Sequence, residues 1–219
     1  MLLTRPALAL FATWILGAQE TLPLKLPAPA TGGATLAETL AGRKTVRTLG
    51  GPGLTLAEAG QLLYAAQGEN RPGKRTVPSA HGRYPLEFYL VTSGSQTLPA
   101  GIYHYQPVGH QLKKLGEGSP QATLGRLKSM QPWIASAPAV FMVAGVPTRI
   151  DPTGKDTSLT FYEGGAAAQC LLLQAVALGL DTGTASGLDM VAVAQALKLP
   201  AGTQIQTVLP VGREKSPNS

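Results

Sequence analysis

The side chains best suited to chemistry lie in a short cationic segment, residues 43–47, which reads Arg-Lys-Thr-Val-Arg. It follows a predicted helix and begins an extended stretch, in which alternate side chains point the same way. Arg43, Thr45 and Arg47 can therefore converge, and two guanidiniums with a hydroxyl suit a phosphate group. Lys44 is expected to point away from these three. A solvated basic loop is the alternative interpretation, because runs of charge are usually exposed faces.

Few other residues suggest catalysis by a metal or by a nucleophile. The chain has one cysteine and three histidines, which excludes a disulfide framework and a zinc site built from several thiolates. No metal site is predicted. Cys170 lies in a predicted helix, where a small thiol packs like a hydrophobic residue, and a redox role is the alternative. His81 either lines a pocket or lies on the surface.

Composition and charge restrict the class of partner. The chain of 219 residues is 44% hydrophobic and can bury a core, and its formal net charge is +6. Its 18 Lys and Arg residues are dispersed and only 5% of the chain is aromatic, whereas nucleic-acid grooves combine clustered basic residues with aromatic ones. We predict no nucleic-acid partner. A small anionic ligand or a solvated basic surface accounts for the charge equally well.

The N-terminal region has the pattern of an export signal. Arg5 precedes a mostly apolar run over residues 6–16, and small residues follow it. This pattern predicts a signal over residues 1–18, cleaved between Ala18 and Thr21, a periplasmic location, and membrane contact through the signal alone. An uncleaved anchor or a buried first helix is the alternative. The predicted units that follow are a proline-rich linker at 19–34, a folded domain at 35–214 and a tail at 215–219.

The remaining pattern alternates helices and strands. Helices are predicted at residues 35–41, 56–67, 161–178 and 190–197, and strands at 87–92, 101–106, 111–115, 139–146 and 205–211. Thr55 and Glu58 have the spacing of a capping box. The long Ala- and Leu-rich helix is expected to be central. Because no glycine-rich phosphate loop follows a strand, the pattern predicts an α+β fold and not a Rossmann domain.

Five further motifs occur in an order that is typical of one family. They are the turn-rich stretch at 75–91, Gln-Pro-Trp-Ile-Ala at 131–135, Glu-Gly-Gly-Ala-Ala-Ala-Gln at 163–169, Ser-Gly at 186–187 and Leu-Pro-Val-Gly-Arg at 209–213. Together they resemble the nitroreductase superfamily, most closely its SagB/ThcOx-type branch, over about residues 35–214. The resemblance implies a nitroreductase-like α+β fold, with a mixed or antiparallel central sheet flanked by helices around a long central helix.

The same resemblance implies a cofactor and the residues that hold it. Members of the superfamily are homodimers that bind flavin mononucleotide (FMN) at the subunit interface and pass electrons through it from a nicotinamide or another substrate. The implied phosphate-binding residues are Arg43, Lys44, Thr45, Arg47 and Arg213. Pro78, Ser79 and Ala80 resemble the loop that covers the isoalloxazine ring from the partner subunit, and Ser186 and Gly187 resemble the segment beside flavin N5. No catalytic side chain is implied.

The expected function is therefore that of an exported FMN-dependent oxidoreductase with a ping-pong mechanism, a small-molecule substrate and NAD(P)H as one candidate donor. A binding module of the same fold without flavin chemistry is the alternative. Trp133 is either a pocket wall or core, and Glu163 is expected to favour the helix dipole. Azoline-oxidising members carry a Lys-Tyr pair at a place that corresponds here to residues 151–152, which are Asp-Pro. Peptide thiazoline oxidation is therefore not expected.

Overall fold

The structure is a computed structural model, and it describes residues 22–215. The predicted signal at residues 1–18 and most of the predicted tail lie outside the described residues. The helices are α1 (Leu36–Gly42), α2 (Leu56–Gln67), α3 (Pro120–Leu124), α4 (Pro132–Ala135), α5 (Ser158–Ala177) and α6 (Met190–Ala196). The strands are β1 (Leu24–Lys25), β2 (Leu49–Gly50), β3 (Glu69–Arg71), β4 (Lys74–Arg75), β5 (Leu86–Thr92), β6 (Gly101–Gln106), β7 (Gln111–Gly116), β8 (Ala139–Gly145), β9 (Asp181–Thr182) and β10 (Gln204–Glu214).

An antiparallel sheet forms the centre of the described chain. Its strand order is β1-β7-β6-β5-β8-β10-β2, with β9 also paired to β10, and every pair is antiparallel. All seven residues of β8 are buried, as expected for a strand whose two faces are covered. The α+β fold with helices around a central sheet is confirmed.

Helices cover both faces of this sheet and divide the core in two. On one face α2 and α5 pack against side chains such as Phe88, Phe141 and Leu209. On the other face Tyr89, Met142 and residues of α6 form a second core. Thr55 caps α2 in the predicted capping box with Glu58, and α2 has the predicted bounds. The buried stripe of α5, which includes Ala167, Ala168, Leu171, Leu172 and Ala175, makes it the central helix.

The structure differs from the sequence prediction in several short elements. Within the segment predicted as a linker, Leu24 and Lys25 pair with β7 and Leu26 is buried, so this segment packs on the domain. The prolines favour an extended backbone, and an extended backbone can equally be an edge strand. The central helix begins at Ser158, three residues earlier than predicted, where Asp156 accepts a hydrogen bond from the Ser158 N–H.

Candidate functional site

The cationic segment follows α1 and is hydrogen-bonded to the chain at the end of β9. The Val46 N–H donates to the Thr182 carbonyl at 3.0 Å, and the Val46 side chain is buried. Lys44 points elsewhere and forms an ion pair with Glu214 at 2.7 Å. This hydrogen bond from Lys44 raises its pKa. The alternation predicted for the segment is thus present for Lys44.

Trp133 brings Thr45 and Arg47 to one surface. The Arg47 guanidinium carbon lies 5.8 Å from the Trp133 ring centroid, a distance at which a cation is attracted to the ring face. Gly183 lies against both Thr45 and Trp133, since a Cβ built at Gly183 would meet Thr45 Cγ2 at 3.0 Å and Trp133 Cη2 at 3.2 Å. Trp133 is therefore a platform for the cationic segment. We call the surface formed by Thr45, Arg47, Trp133 and Gly183 the Trp133 face.

Ser186 and Gly187 continue from the Trp133 face along the chain. Ala185 bridges Val208 of β10 by two backbone hydrogen bonds, and the Ser186 hydroxyl lies 3.3 Å from that of Thr207. Ser186 and Gly187 are exposed, and a Cβ built at Gly187 meets nothing within 4 Å. The four residue-to-residue steps from Gly183 to Gly187 span at most about 14 Å when fully extended. An elongated ligand can therefore contact both places.

Arg213 is held on the other face of the sheet. Its neighbours on the same side of β10, Leu209 and Val211, belong to the core under α2 and α5. One guanidinium nitrogen lies 2.7 Å from Glu58, and the other, Nη1, is buried without a hydrogen-bond partner among residues 22–215. Within that range, the ion pairs and hydrogen bonds of Arg213 do not include Arg43, Thr45 or Arg47. The phosphate role of Arg213 stays a prediction.

Glu163 holds the loop of Pro78, Ser79 and Ala80 against the central helix. Its Oε1 accepts hydrogen bonds from the Ser79 hydroxyl at 3.0 Å and the Ala80 N–H at 2.7 Å. The Ser79 oxygen in turn accepts the Tyr84 N–H at 2.8 Å. Glu163 is 2% exposed, and its Oε2 has no partner in the described chain.

The interpretation of Glu163 as a helix-dipole residue is wrong. Glu163 lies beyond the first turn of α5, which contains no acidic residue, and the dipole effect falls off within that turn. Its role as an anchor was missed because residues 79 and 163 are far apart in sequence. Hydrogen bonds between Glu163 and a loop more than 80 residues away form only in the tertiary structure. The one sequence signal for them is a serine in a predicted turn.

The remaining candidates have ordinary surroundings. Burial raises the pKa of the Cys170 thiol, which disfavours the reactive thiolate. His81 is exposed and adopts a left-handed backbone conformation with φ 53°. Within residues 22–215 no group of three His, Cys, Asp or Glu side chains could hold a metal ion, and no helix there is long and apolar enough to cross a membrane.

Comparisons with known proteins agree with this architecture. The profile of the family described as "Nitroreductase family" matches residues 40–213. A Methanocaldococcus jannaschii protein that is provisionally named a nitroreductase, MJ1384, is 32% identical over 184 residues, covering 82% of this chain and 91% of that protein.

Two solved structures are similar in fold. A crystal structure provisionally named a nitroreductase, from Ralstonia eutropha JMP134, has a TM-score of 0.78 at 27% identity and covers 99% of this chain and 96% of that chain. A chain in the E. coli microcin synthetase McbBCD complex has a TM-score of 0.65 at 18% identity, covering 97% and 85%, and shows likeness of fold alone. With the profile match over most of the domain, these findings show that the chain belongs to the nitroreductase family.

Proposed function

We propose that the protein is a homodimeric, exported oxidoreductase that uses FMN to pass electrons from a donor, with NAD(P)H as one candidate, to a small-molecule acceptor. The observation that carries the proposal is that Arg47 and Thr45 meet at Trp133 and Gly183, from which the chain runs on within four residues to the exposed Ser186 and Gly187. Family membership supports the general oxidoreductase activity. The donor, FMN and the ping-pong order are proposed for this chain.

The residues present fit a flavin phosphate and ring. Arg43 and Arg47 form no ion pair among the described residues, so their guanidiniums are available to a phosphate together with the Thr45 hydroxyl. The backbone at Gly187 is open, and a flat ring can approach it closely because no Cβ intervenes. Arg213 lies on the other face of the sheet, and its buried Nη1 has no partner among residues 22–215, so its contact with the phosphate requires a separate test.

The division of labour follows from this arrangement. FMN, when bound, supplies the electron transfer chemistry. The protein contributes binding by the cationic segment, orientation by the backbone at Ser186 and Gly187, and a positive field that favours a reduced, anionic ring. The loop of Pro78, Ser79 and Ala80, anchored by Glu163, would cover the ring bound by the partner subunit and exclude water from it. No described side chain is required as a strong acid or base.

The direct test is the colour of the purified protein. We expect the protein to show the absorption bands of a bound flavin and to release this flavin as FMN on denaturation. We also expect the bands to bleach when NADH or NADPH is added in the absence of oxygen. A protein that is colourless and does not bind added FMN would favour the alternative, a binding module of the same fold. If FMN is bound but neither NADH nor NADPH bleaches it, the protein is a flavoprotein whose electron donor is not NAD(P)H.

The dimer is proposed to form where α5 and α6 expose apolar side chains. Leu159, Phe161 and Tyr162 on α5 are 41%, 47% and 73% exposed, and Val191 on α6 is 68% exposed. A cluster of large exposed apolar residues is typical of an interaction site. It lies near Glu163 and the start of α6, so a second subunit there would approach both the Ser79 loop and Ser186.

Tyr162→Asp is expected to weaken the dimer at least tenfold, because it places a charge in an apolar interface. Sedimentation velocity over a concentration series measures the change. Tyr162 is already exposed, so the monomer should remain folded by circular dichroism. Val108→Asp, at a residue that is 65% exposed in the turn between β6 and β7, is the matched control. Equal behaviour of the two variants would place the dimer interface elsewhere.

Export is proposed from the N-terminal pattern alone. We expect protein isolated from the cell envelope to begin between Ala18 and Thr21, as shown by N-terminal sequencing, because small residues end the apolar run there. Intact Met1 on protein from the cytoplasmic fraction would contradict export. Intact Met1 on membrane-bound protein would instead indicate an uncleaved anchor.

A further inference from the structure

A cavity of about 830 Å³ lies at the far end of α6 from Ser186 and Gly187. Strands β5 and β6, helix α3 and the loop between α6 and β10 form its walls. Its lining includes Tyr89, Ile102 and Leu197, which belong to the core on that face of the sheet. None of the lining residues belongs to the Trp133 face or to the Ser79 loop. The cavity is therefore separate from the proposed flavin site.

The floor of the cavity is an ordered network of polar and aromatic groups. The Tyr89 ring stacks on His104 with centroids 4.9 Å apart, and His104 Nε2 lies 2.6 Å from a Glu87 oxygen. The Arg149 guanidinium binds the other Glu87 oxygen. Burial alone would raise the pKa of Glu87, but the hydrogen bond from His104 and the charge of Arg149 outweigh it and hold that pKa below its usual value. The carboxylate is thus already neutralised by its neighbours.

The rim of the cavity has an excess of positive charge. Arg126 and Lys198 line it, and neither forms an ion pair with another residue of the range 22–215. The acidic side chain on the rim, Glu117, is bound by Lys114 at 2.6 Å. Lys198 has φ 53° at the end of α6, a conformation in which glycine is favoured and a lysine is strained. Arg126 and Lys198 therefore line the cavity without a counter-charge in the part of the chain that the structure describes.

We propose that this cavity binds a small organic anion, in which a carboxylate or phosphate ester is attached to a flat apolar body. Arg126 and Lys198 would contact the anionic group. The flat body would lie against Tyr89, Ile102 and Leu197. Desolvation raises the pKa of Tyr89 to about 12, so its hydroxyl remains protonated and is a donor or acceptor for a polar substituent. Exposed cations alone bind anions weakly, and the enclosing apolar walls are what make a specific site.

The test uses 2-naphthoate and its neutral counterpart 2-naphthalenemethanol as probes, titrated by calorimetry into the full protein as purified. We expect 2-naphthoate to bind at least tenfold more tightly than the alcohol. The double variant Arg126→Gln and Lys198→Gln should reduce the affinity for 2-naphthoate to that of the alcohol. Lys128→Gln, at an exposed lysine that does not line the cavity, is the matched control and should change the affinity less than twofold.

A second variant tests the location without removing charge. Ala122 lines the cavity and is exposed, so Ala122→Phe should fill the space without unfolding the protein and abolish binding of both probes. Absence of 2-naphthoate binding to the unaltered protein, or equal losses in Lys128→Gln and the double variant, would overturn the proposal. Displacement of 2-naphthoate by FMN would also overturn it, since the probe would then occupy the flavin site. The flavin absorption measured in parallel reports on the proposed function independently.

Discussion

Replacing Arg43 and Arg47 together by alanine is expected to weaken FMN binding by a factor of about 100 or more, while riboflavin binding changes less than about threefold. A hydrogen bond to a charged group contributes about 1.5–3 kcal/mol, and two such losses account for the factor. Riboflavin lacks the phosphate and tests the ring contacts alone. Fluorescence titration of the flavin-free protein with each ligand measures both affinities.

Lys44→Ala is the matched control for this pair. Lys44 is a neighbour in sequence, but it is exposed and paired with Glu214. Its removal should change the affinity for FMN less than the loss of either arginine. If the double variant lost FMN and riboflavin equally, the cationic segment would not hold the phosphate. If Lys44→Ala had the larger effect, the alternation of the segment would not decide which side chains reach the ligand.

Arg213 needs a separate comparison, because its guanidinium also binds Glu58. If Nη1 holds the phosphate, Arg213→Ala should weaken the binding of FMN about ten- to hundredfold more than the binding of riboflavin. Glu58→Gln removes the charge of the partner and keeps a residue that can complete the cap of α2. A loss of stability in both variants without any change in the ratio of FMN to riboflavin affinity would make Arg213 a structural residue.

Glu163→Ala is expected to release the loop at Ser79 and to lower the free energy of unfolding by about 1–3 kcal/mol. It should also lower the affinity for FMN at least tenfold. The Ser79 hydroxyl and the Ala80 N–H both lose their acceptor, and a partly buried donor without a partner is costly. Thermal unfolding of the flavin-free protein gives the first effect. Titration with FMN gives the second.

Two further variants separate the anchor from a general packing defect. Glu163→Gln retains an acceptor oxygen and nearly the same volume, so it should preserve more of the FMN affinity than the alanine variant. Ser79→Ala removes the hydrogen bond from Ser79 to Glu163 and also the acceptor of the Tyr84 N–H, but it keeps the Ala80 N–H on Glu163, so its effect on FMN affinity should be smaller than that of Glu163→Ala. Unchanged FMN affinity in Glu163→Ala, despite lower stability, would show that this loop does not cover the flavin.

Residues with strong local signals were predictable from the sequence. The capping box of Thr55 and Glu58 defined the start of α2, and the apolar run of β8 indicated a strand buried on both faces. Motif order led to the family, and the alternation in residues 43–47 separated Lys44 from Thr45 and Arg47. These features depend on residues that are close in sequence or on a regular spacing of residue types, so the order of residues alone is enough to predict them.

Short strands and long-range pairs were decided by the tertiary structure. Leu24 and Lys25 look like linker because a strand of two residues has no period, and only β7 gives them a partner. Three further contacts were also decided by the tertiary structure. They are the hydrogen bond between Ser79 and Glu163, the ion pair of Arg213 with Glu58, and the contact of the Arg47 guanidinium with the Trp133 ring. Each joins groups that lie far apart in the chain. The sequence by itself thus determined the longer helices and strands, the family and the residue types of the site, while the packing of helices on two faces of the sheet decided which of them meet.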